Sequence, residues 1–377
     1  PPCQAYSLVG RARNQGVSGY VPENDSRHFL YQEYLRVIYD NWPSVFVMEN
    51  VKGLLSSKVA GRSMFNQILE DLSDPVAAIE GQENLIKDPS RTYNIYPLSP
   101  ESSVELSGHY VDSPGDYVVK SERHGIPQCR HRVILLGVRG DIKQKPEALK
   151  KKEAPTVIEI IGDLPKLRSG LSKDDSDERW LDLMKSADKS TWFSELSDRG
   201  VRSVIRETLE KIGVPNNSRG GVFVSERPSP GAFKRWFHDS RIKGVCNHET
   251  KKHMDSDVYR YFFLSALLES RERGEREVAS ANLRDFPVSL LPDHKNVRLD
   301  HNAKFLKFAD RFKVQRRGAP STTVVSHIAK DGHYYIHYDP AQSRSLTVRE
   351  AARLQTFPDN YFFAGNRTQQ YTQVGNA

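Results

Sequence analysis

The 377-residue sequence is poor in cysteine, with 3 residues, and holds 4 methionines and 4 tryptophans. An odd number of thiols, far apart, excludes a disulfide framework and points to a reducing compartment. No run of 18 apolar residues is present, so no segment reads as a membrane-spanning helix, and mean hydropathy is −0.61. The expectation is a soluble protein. No charged-then-apolar leader opens the sequence, which gives no sign of secretion, although an abrupt start is also what a chain lacking its true beginning would show. Internal repeats and low-complexity tracts are absent.

What is there is a basic chain long enough for a sizeable core and for two domains. A net charge of +7 and a pI near 9.1 suit a polyanionic partner without requiring one. "SVFVMENV" is a β-branched run between Pro43 and Gly53 and reads as a buried strand of a parallel sheet. Before it, "DSRHFLYQEYLRVIYDNWP" reads as a helix with Leu30, Tyr34, Val37 and Ile38 on one face. Asp25 or Ser26 can cap it, and Pro43 closes it. After it, "SMFNQILEDLSDP" repeats the helical spacing at Met64, Ile68, Leu69 and Leu72, and "HRVILLGVRG" is a second buried-strand candidate. Strand and helix alternation of this kind predicts an α/β layer fold. Two capping boxes mark helix starts, Thr156 with Glu159 and Thr347 with Glu350, the latter with Leu346 at the staple position. From about Lys166 to Asn302 basic residues, aromatics and loops mix without a clear period, which predicts a separate, loop-rich domain.

Three short stretches carry candidate chemistry. Cys3 lies in "PPCQAYS" before a loop rich in glycine and arginine, and a cysteine beside cations can lose its proton and become a nucleophile. Glu49 and Asn50 end the "FVMENV" strand, where open α/β sheets place ligand-binding groups, and a carboxyl in apolar surroundings can hold or give a proton. In "IPQCRHRVILLGV", Gln128, Arg130 and Arg132 are two apart, so an extended chain would point all three to one face as a fork for a phosphate or a polar ring edge. Each reading has a plain rival: a packed cysteine, a loop-bonding glutamate, a solvated pair of arginines.

Taken in order, "PPCQAYS", "FVMENVKGLL", "PQCRHRVILLGV", "LTVREAARLQTFPDNY" and "YTQVGNA" resemble motifs IV, VI, VIII, IX and X of the bacterial DNA cytosine-5 methyltransferase family, from end to end of the chain. The resemblance implies a Rossmann-like S-adenosylmethionine-dependent methyltransferase core with an inserted, smaller target-recognition domain. Residues 1–165 would be catalytic, 166–343 would recognise the target, and 344–377 would return to the catalytic domain.

It further implies that Cys3 attacks carbon 6 of a flipped-out cytosine, that Glu49 serves ring nitrogen 3, and that Arg132 and Arg130 hold the base and its adduct. Gln4, Ser7, Arg11, Asn50, Gln128, Gln373 and either Thr322 or Thr323 would contact DNA, the loop from Ala5 to Tyr20 closing over it. Arg219, Lys234, Arg235 and the "TKKH" run are further candidates for phosphate or base contacts. Cys246, His248 and His253 read as loop residues rather than zinc ligands, and no metal is expected.

The Phe-x-Gly-x-Gly turn of the family's cofactor site is absent, so the sequence reads as a fragment with only Pro2, Asn376 and Ala377 on the cofactor side. The implied cofactor is S-adenosylmethionine. The implied partners are double-stranded DNA and, functionally, a cognate restriction endonuclease; the protein is expected to be monomeric and cytoplasmic, at the bacterial nucleoid. Two rival readings stay open: an RNA cytosine-5 methyltransferase, and a non-catalytic DNA-binding relative.

Overall fold

The structure, a computed structural model, describes residues 6, 29–79, 91–99, 113–229, 231–274, 281, 283–293 and 312–376. Cys3, Pro2, Gln4, Ser7, Arg11, Ala377 and the helix caps expected at Asp25 or Ser26 lie outside the described residues. The chain divides into two compact units: Pro1–Gly125 with Arg130–Glu153, and Ile126–Cys129 with Ala154–Ala377. This division does not follow the expected boundaries at 165 and 343: it begins the second unit at Ala154 and keeps 344–377 within it.

In the first unit, helix α1 (Tyr31–Asn41) buries Tyr31, Leu35 and Ile38. The expected face is therefore corrected: Val37 points outward, and Leu30 sits at the N-cap in helical conformation. Trp42 ends the helix in the left-handed region, its N–H donating to Ile38 O at 2.8 Å, and Pro43 follows. Strand β1 (Val45–Val51) leads to helix α2 (Met64–Ser73), which buries Met64, Ile68, Leu69 and Leu72 as their spacing predicts. Ser63 Oγ caps α2 by accepting from Asn66 N at 3.4 Å.

Strands β2 (Tyr93–Tyr96), β3 (Val118–Lys120) and β4 (His131–Arg139) complete the sheet. β4 is central, with β1 along one edge and β2 and β3 sharing the other. All three pairings are antiparallel, which corrects the reading of "SVFVMENV" as a parallel strand. β1 is also not buried on both faces. Phe46, Met48 and Asn50 face the core, whereas Val45 is 49% exposed and Val47 56% exposed on the opposite face. Opposite Phe46 stands Gly137, where a Cβ would lie 2.2 Å from the ring; the glycine is what lets the ring lie flat across β4 and meet Tyr93 edge-on at 4.9 Å.

The second unit is helical where loops were expected. Helices α3 (Val157–Ile161), α4 (Asp177–Lys185) and α5 (Arg199–Lys211) precede a two-stranded antiparallel ribbon of β5 (Gly220–Val224) and β6 (Val245–Glu249). Helix α6 (Asp255–Arg273) follows, 19 residues long and buried on nearly every side through Val258, Phe262, Leu264 and Leu267. α5 lays Val201, Val204 and Ile205 against it. With burial on nearly every side there is no single stripe to read, which is why the period was missed. Helices α7 (Val348–Leu354) and α8 (Arg367–Asn376) form a second cluster with α3. At Gly375 in α8 a Cβ would stand 2.2 Å from Ser326 N, so only glycine permits the approach of that backbone.

Candidate functional site

The first unit brings two of the expected residues together. In the β1–β4 register Glu49 lies opposite Ile134 and Arg132 opposite Val51, so the two side chains meet diagonally on the face that also carries Val45 and Val47. Arg132 Nε lies 2.6 Å from Glu49 Oε1, and its Nη1 donates to His131 O at 2.9 Å. The glutamate side chain is 53% exposed, so the expected apolar enclosure is not found; the carboxylate is held by a guanidinium instead. A pair this open contributes roughly 0–1 kcal/mol to stability, and its consequence is orientation. Asn50 points to the other face, buried, with Oδ1 accepting from Val51 N at 2.8 Å and Nδ2 without an acceptor among the described residues. Arg130 adjoins the pair in sequence, its N–H donating to Ser121 Oγ at 3.0 Å.

Gln128 does not belong to that fork. Its chain segment pairs in parallel with Ser321–Thr322 in the second unit, and its amide is committed there. Nε2 donates to Leu354 O at 3.0 Å and Gln355 Oε1 at 2.9 Å, while Oε1 accepts from Val324 N at 3.1 Å. The residue is buried, and these bonds give it a structural duty. Beside it, Thr323 Oγ1 donates to Cys129 O at 2.6 Å, and Thr322 is fixed by buried Gln315, which accepts from Thr322 N at 3.0 Å and donates to its Oγ1 at 3.0 Å. Gln373 and Asn376 are exposed on α8, Gln373 Nε2 donating to Ala364 O at 3.0 Å.

Of the basic candidates, Arg219 is spent on Asp175 and Glu249 at 3.0 and 3.3 Å, whereas Lys234 and Arg235 are exposed on the short helix Lys234–Phe237. The loop reading of Cys246, His248 and His253 is corrected: the first two lie on β6, and His253 on a two-residue strand pairing Lys252–His253 with Gly170–Leu171. Among the described residues no cluster of histidine, cysteine and carboxylate groups could hold a metal ion, and no helix is long and apolar enough to cross a membrane.

The capping box of Thr347 and Glu350 is present, and the charged residues of "LTVREAARLQTFPD" are buried. Glu350, 1% exposed, accepts from Arg344 at 2.8 and 2.7 Å and from Thr347 N at 2.7 Å, completing the capping box of α7. Arg353 forks onto Asp359 at 2.8 and 2.7 Å and reaches Asp163 at 2.6 Å. His248 lies between Pro165 O and Thr347 Oγ1, both at 2.9 Å. A carbonyl can only accept, so Nε2 carries the proton and Nδ1 accepts from the threonine.

Burial pushes the His248 pKa down to about 4, and His337, 3.6 Å from Glu350, down to about 4 as well. The unfolded chain therefore takes up protons as pH falls through about 6.5, while the folded chain resists until about 4. Stability contributed by neutral His248 is complete above that upper value and is lost on acidification through the window, by about 3 kcal/mol. Urea unfolding between pH 7 and 4 should show this decline, and His248→Gln should lessen it by about 3 kcal/mol, leaving the share of buried His337 and His253; an equally steep decline in the variant would refute the assignment.

The sequence profile of the family described as C-5 cytosine-specific DNA methylase matches residues 1–75 and 116–377. Type II methyltransferase M.Bpa9945I of Bacillus paralicheniformis is 32% identical over 384 aligned positions, which take in the whole of this chain and 65% of that protein. Type II methyltransferase M.AgeI of Thalassovita gelatinovora is 25% identical, with this chain spanning 78% of its length. The DNA (cytosine-5-)-methyltransferase M.ApeKI of Aeropyrum pernix is also 25% identical, with 76% of its length spanned. Against the first of these relatives the chain spans just under two thirds of the length. The match over most of its residues places the chain in the C-5 cytosine-specific DNA methylase family, and the mixed α/β architecture agrees with it.

Proposed function

We propose that the protein methylates carbon 5 of cytosine in a specific duplex DNA sequence, and that this chain carries the base-activating groups and the target-recognition domain. Carbon 5 of cytosine is a poor nucleophile. Addition of the Cys3 thiolate to carbon 6 forms an S–C6 bond, and the π pair of the C5=C6 bond moves into the ring toward nitrogen 3. Glu49, a carboxylate paired with Arg132 at rest, takes a proton from solvent as the base enters and delivers it at that nitrogen as charge builds there, and the carboxylate left behind returns to the Arg132 guanidinium. The neutral enamine that results is nucleophilic at carbon 5. Inside a duplex none of these groups could reach the ring, so the cytosine must leave the stack, which costs roughly a few kcal/mol.

The observation that carries this reading is the 2.6 Å pair between Glu49 and Arg132, which joins two separate family motifs on one face of the sheet. S-adenosylmethionine is the methyl donor that the family implies. Of the residues expected to touch it, Asn376 alone is described, and it is exposed at the end of α8, where one amide could make no more than a rim contact. Arg130 stays with the base, and the exposed Lys234 and Arg235, together with Thr322, are proposed for DNA backbone and base contacts.

Expression of the protein, with whatever sequence its reading frame carries beyond these residues, in a host lacking cytosine methylation should place 5-methylcytosine in one sequence context. Soluble protein that binds duplex DNA tightly and leaves the genome unmethylated would favour a non-catalytic DNA-binding relative.

A further inference from the structure

A cavity of about 720 Å³ in the second unit takes no part in the chemistry above. Its walls come from the "TKKH" segment, the N-terminal turns of α6 and α8, and residues 327–333. Lys251, Lys252, Lys330, His327, His333 and Arg367 line it, against two carboxylates, Asp257 and Asp331. Both acids are engaged elsewhere: Asp257 Oδ1 accepts from Arg260 at 2.7 Å, and Asp331 Oδ1 accepts from His333 N at 3.0 Å. Arg367 is likewise paired, with Glu249 at 2.5 Å. The lysines are therefore what gives the cavity its field.

Lys251 is the unusual one. Its Nζ donates to Ile328 O at 2.7 Å and stands 4.2 Å from the centre of the buried Tyr371 ring. No carboxylate lies within ion-pair distance of it among the described residues, and a carbonyl and a ring satisfy only part of an ammonium that has three protons to give. Burial accordingly pushes its pKa down to about 8. A half-buried cation whose nearest opposing charge, Asp331, stands beyond ion-pair distance and faces three lysines, at the wall of a cavity whose rim adds the exposed Lys252 and Lys330, is arranged for a further anion supplied from outside. A single carboxylate would answer one of three ammonium groups spread over separate walls; a multiply charged tetrahedral group, or successive groups along a chain, answers them together.

We propose that this cavity is a phosphate-binding site, with Lys251 as its fixed cation and Lys252 and Lys330 at its rim. In one form the inference deepens the proposed function, the phosphates being those of the DNA backbone; a free phosphate-bearing ligand would offer the same chemistry.

Two measurements test it. Duplex binding is followed against KCl for the wild-type chain, Lys251→Met, which keeps the stem and removes the charge, and Lys330→Ala, which alters only an exposed side chain. If the phosphates are those of DNA, each variant should bind all duplexes more weakly and lower the slope of log K against log salt by roughly 0.9, with Lys330→Arg restoring it. Calorimetric titration with inorganic phosphate at constant ionic strength should give saturable binding to wild type that Lys251→Met abolishes. Unchanged salt slopes with phosphate binding lost in the variant would assign the site to a free ligand. Unchanged slopes with no lysine-dependent phosphate binding would overturn the proposal. Should the wild-type chain bind no DNA, the proposed function fails while the phosphate titration still decides the site.

Discussion

Replacing Cys3 by alanine should abolish covalent capture of duplex DNA containing 5-fluorocytosine, and Glu49→Gln should slow it by about 10²–10⁴-fold. The two effects differ in kind. In the proposed mechanism the thiol is what bonds carbon 6, so the DNA-linked band on a denaturing gel should vanish at any time of incubation. Glutamine at position 49 keeps the length and can still donate a hydrogen bond, but it has no proton to transfer to nitrogen 3; the band should form slowly and reach the same amplitude. The change at Glu49 should not unfold the protein. Glu49 is half exposed, and the pair it makes with Arg132 is of the open kind that contributes little to stability.

Arg132→Ala supplies the control. If the guanidinium acts through the carboxylate, the double variant should be little slower than the worse single one, a coupling of about 0.5–3 kcal/mol in the activation free energy. Additive losses would mean that Glu49 and Arg132 act on the base separately. Capture by Glu49→Gln at the wild-type rate would remove the glutamate from the reaction.

How far the sequence alone could go is clear from individual segments. α2 was legible because Met64, Ile68, Leu69 and Leu72 recur at the helical period beside a capping serine, and a half-buried helix displays its period. α6 was not, because it is buried on nearly every side and the buried Arg260 and Ser265 interrupt its apolar letters, so no single stripe stands out. β1 shows a different limit: its apolar letters are the same whether the strand is buried on both faces or on one, and only its neighbours decide between parallel and antiparallel pairing. At the site, Glu49 and Arg132 could be named from motifs, yet their meeting depends on a cross-strand register that no local spacing encodes. Gln128 failed for a related reason. Alternation along an extended chain was the right rule, but the strand breaks at Arg130, and the two halves belong to different units. Lys251 carried one signal, the basic "TKKH" run; its burial against Tyr371 comes from residues more than a hundred positions away, beyond any window read along the chain.

Glu350→Ala should destabilise the second unit by about 3–5 kcal/mol, read as a lower urea midpoint. The reason is what remains rather than what is removed. Arg344 is fully buried and gives its guanidinium to Glu350 at 2.7 and 2.8 Å, to Gln342 Oε1 at 2.6 Å and to Leu167 O at 3.1 Å. Without the carboxylate its charge stays in a low-dielectric interior with only neutral acceptors. α7 also loses the group that accepts from Thr347 N, one half of its capping box, while Thr347 Oγ1 keeps the backbone N–H of position 350 at 3.2 Å. Glu350→Gln preserves the shape and one acceptor and should lie between wild type and alanine. The double replacement Arg344→Met with Glu350→Leu removes both charges and should recover a large part of the loss, as buried pairs exchanged for apolar groups of similar volume do. If the double variant is instead as unstable as the sum of the single ones, the pair is not the source of the cost, and the capping of α7 is. Arg344, ahead of α7, and Arg349 and Arg353 on it bond backbone at Leu167, Cys246, Ile160 and Pro358, so α7 and the turn before it are tied to α3, to β6 and to the segment around Leu167.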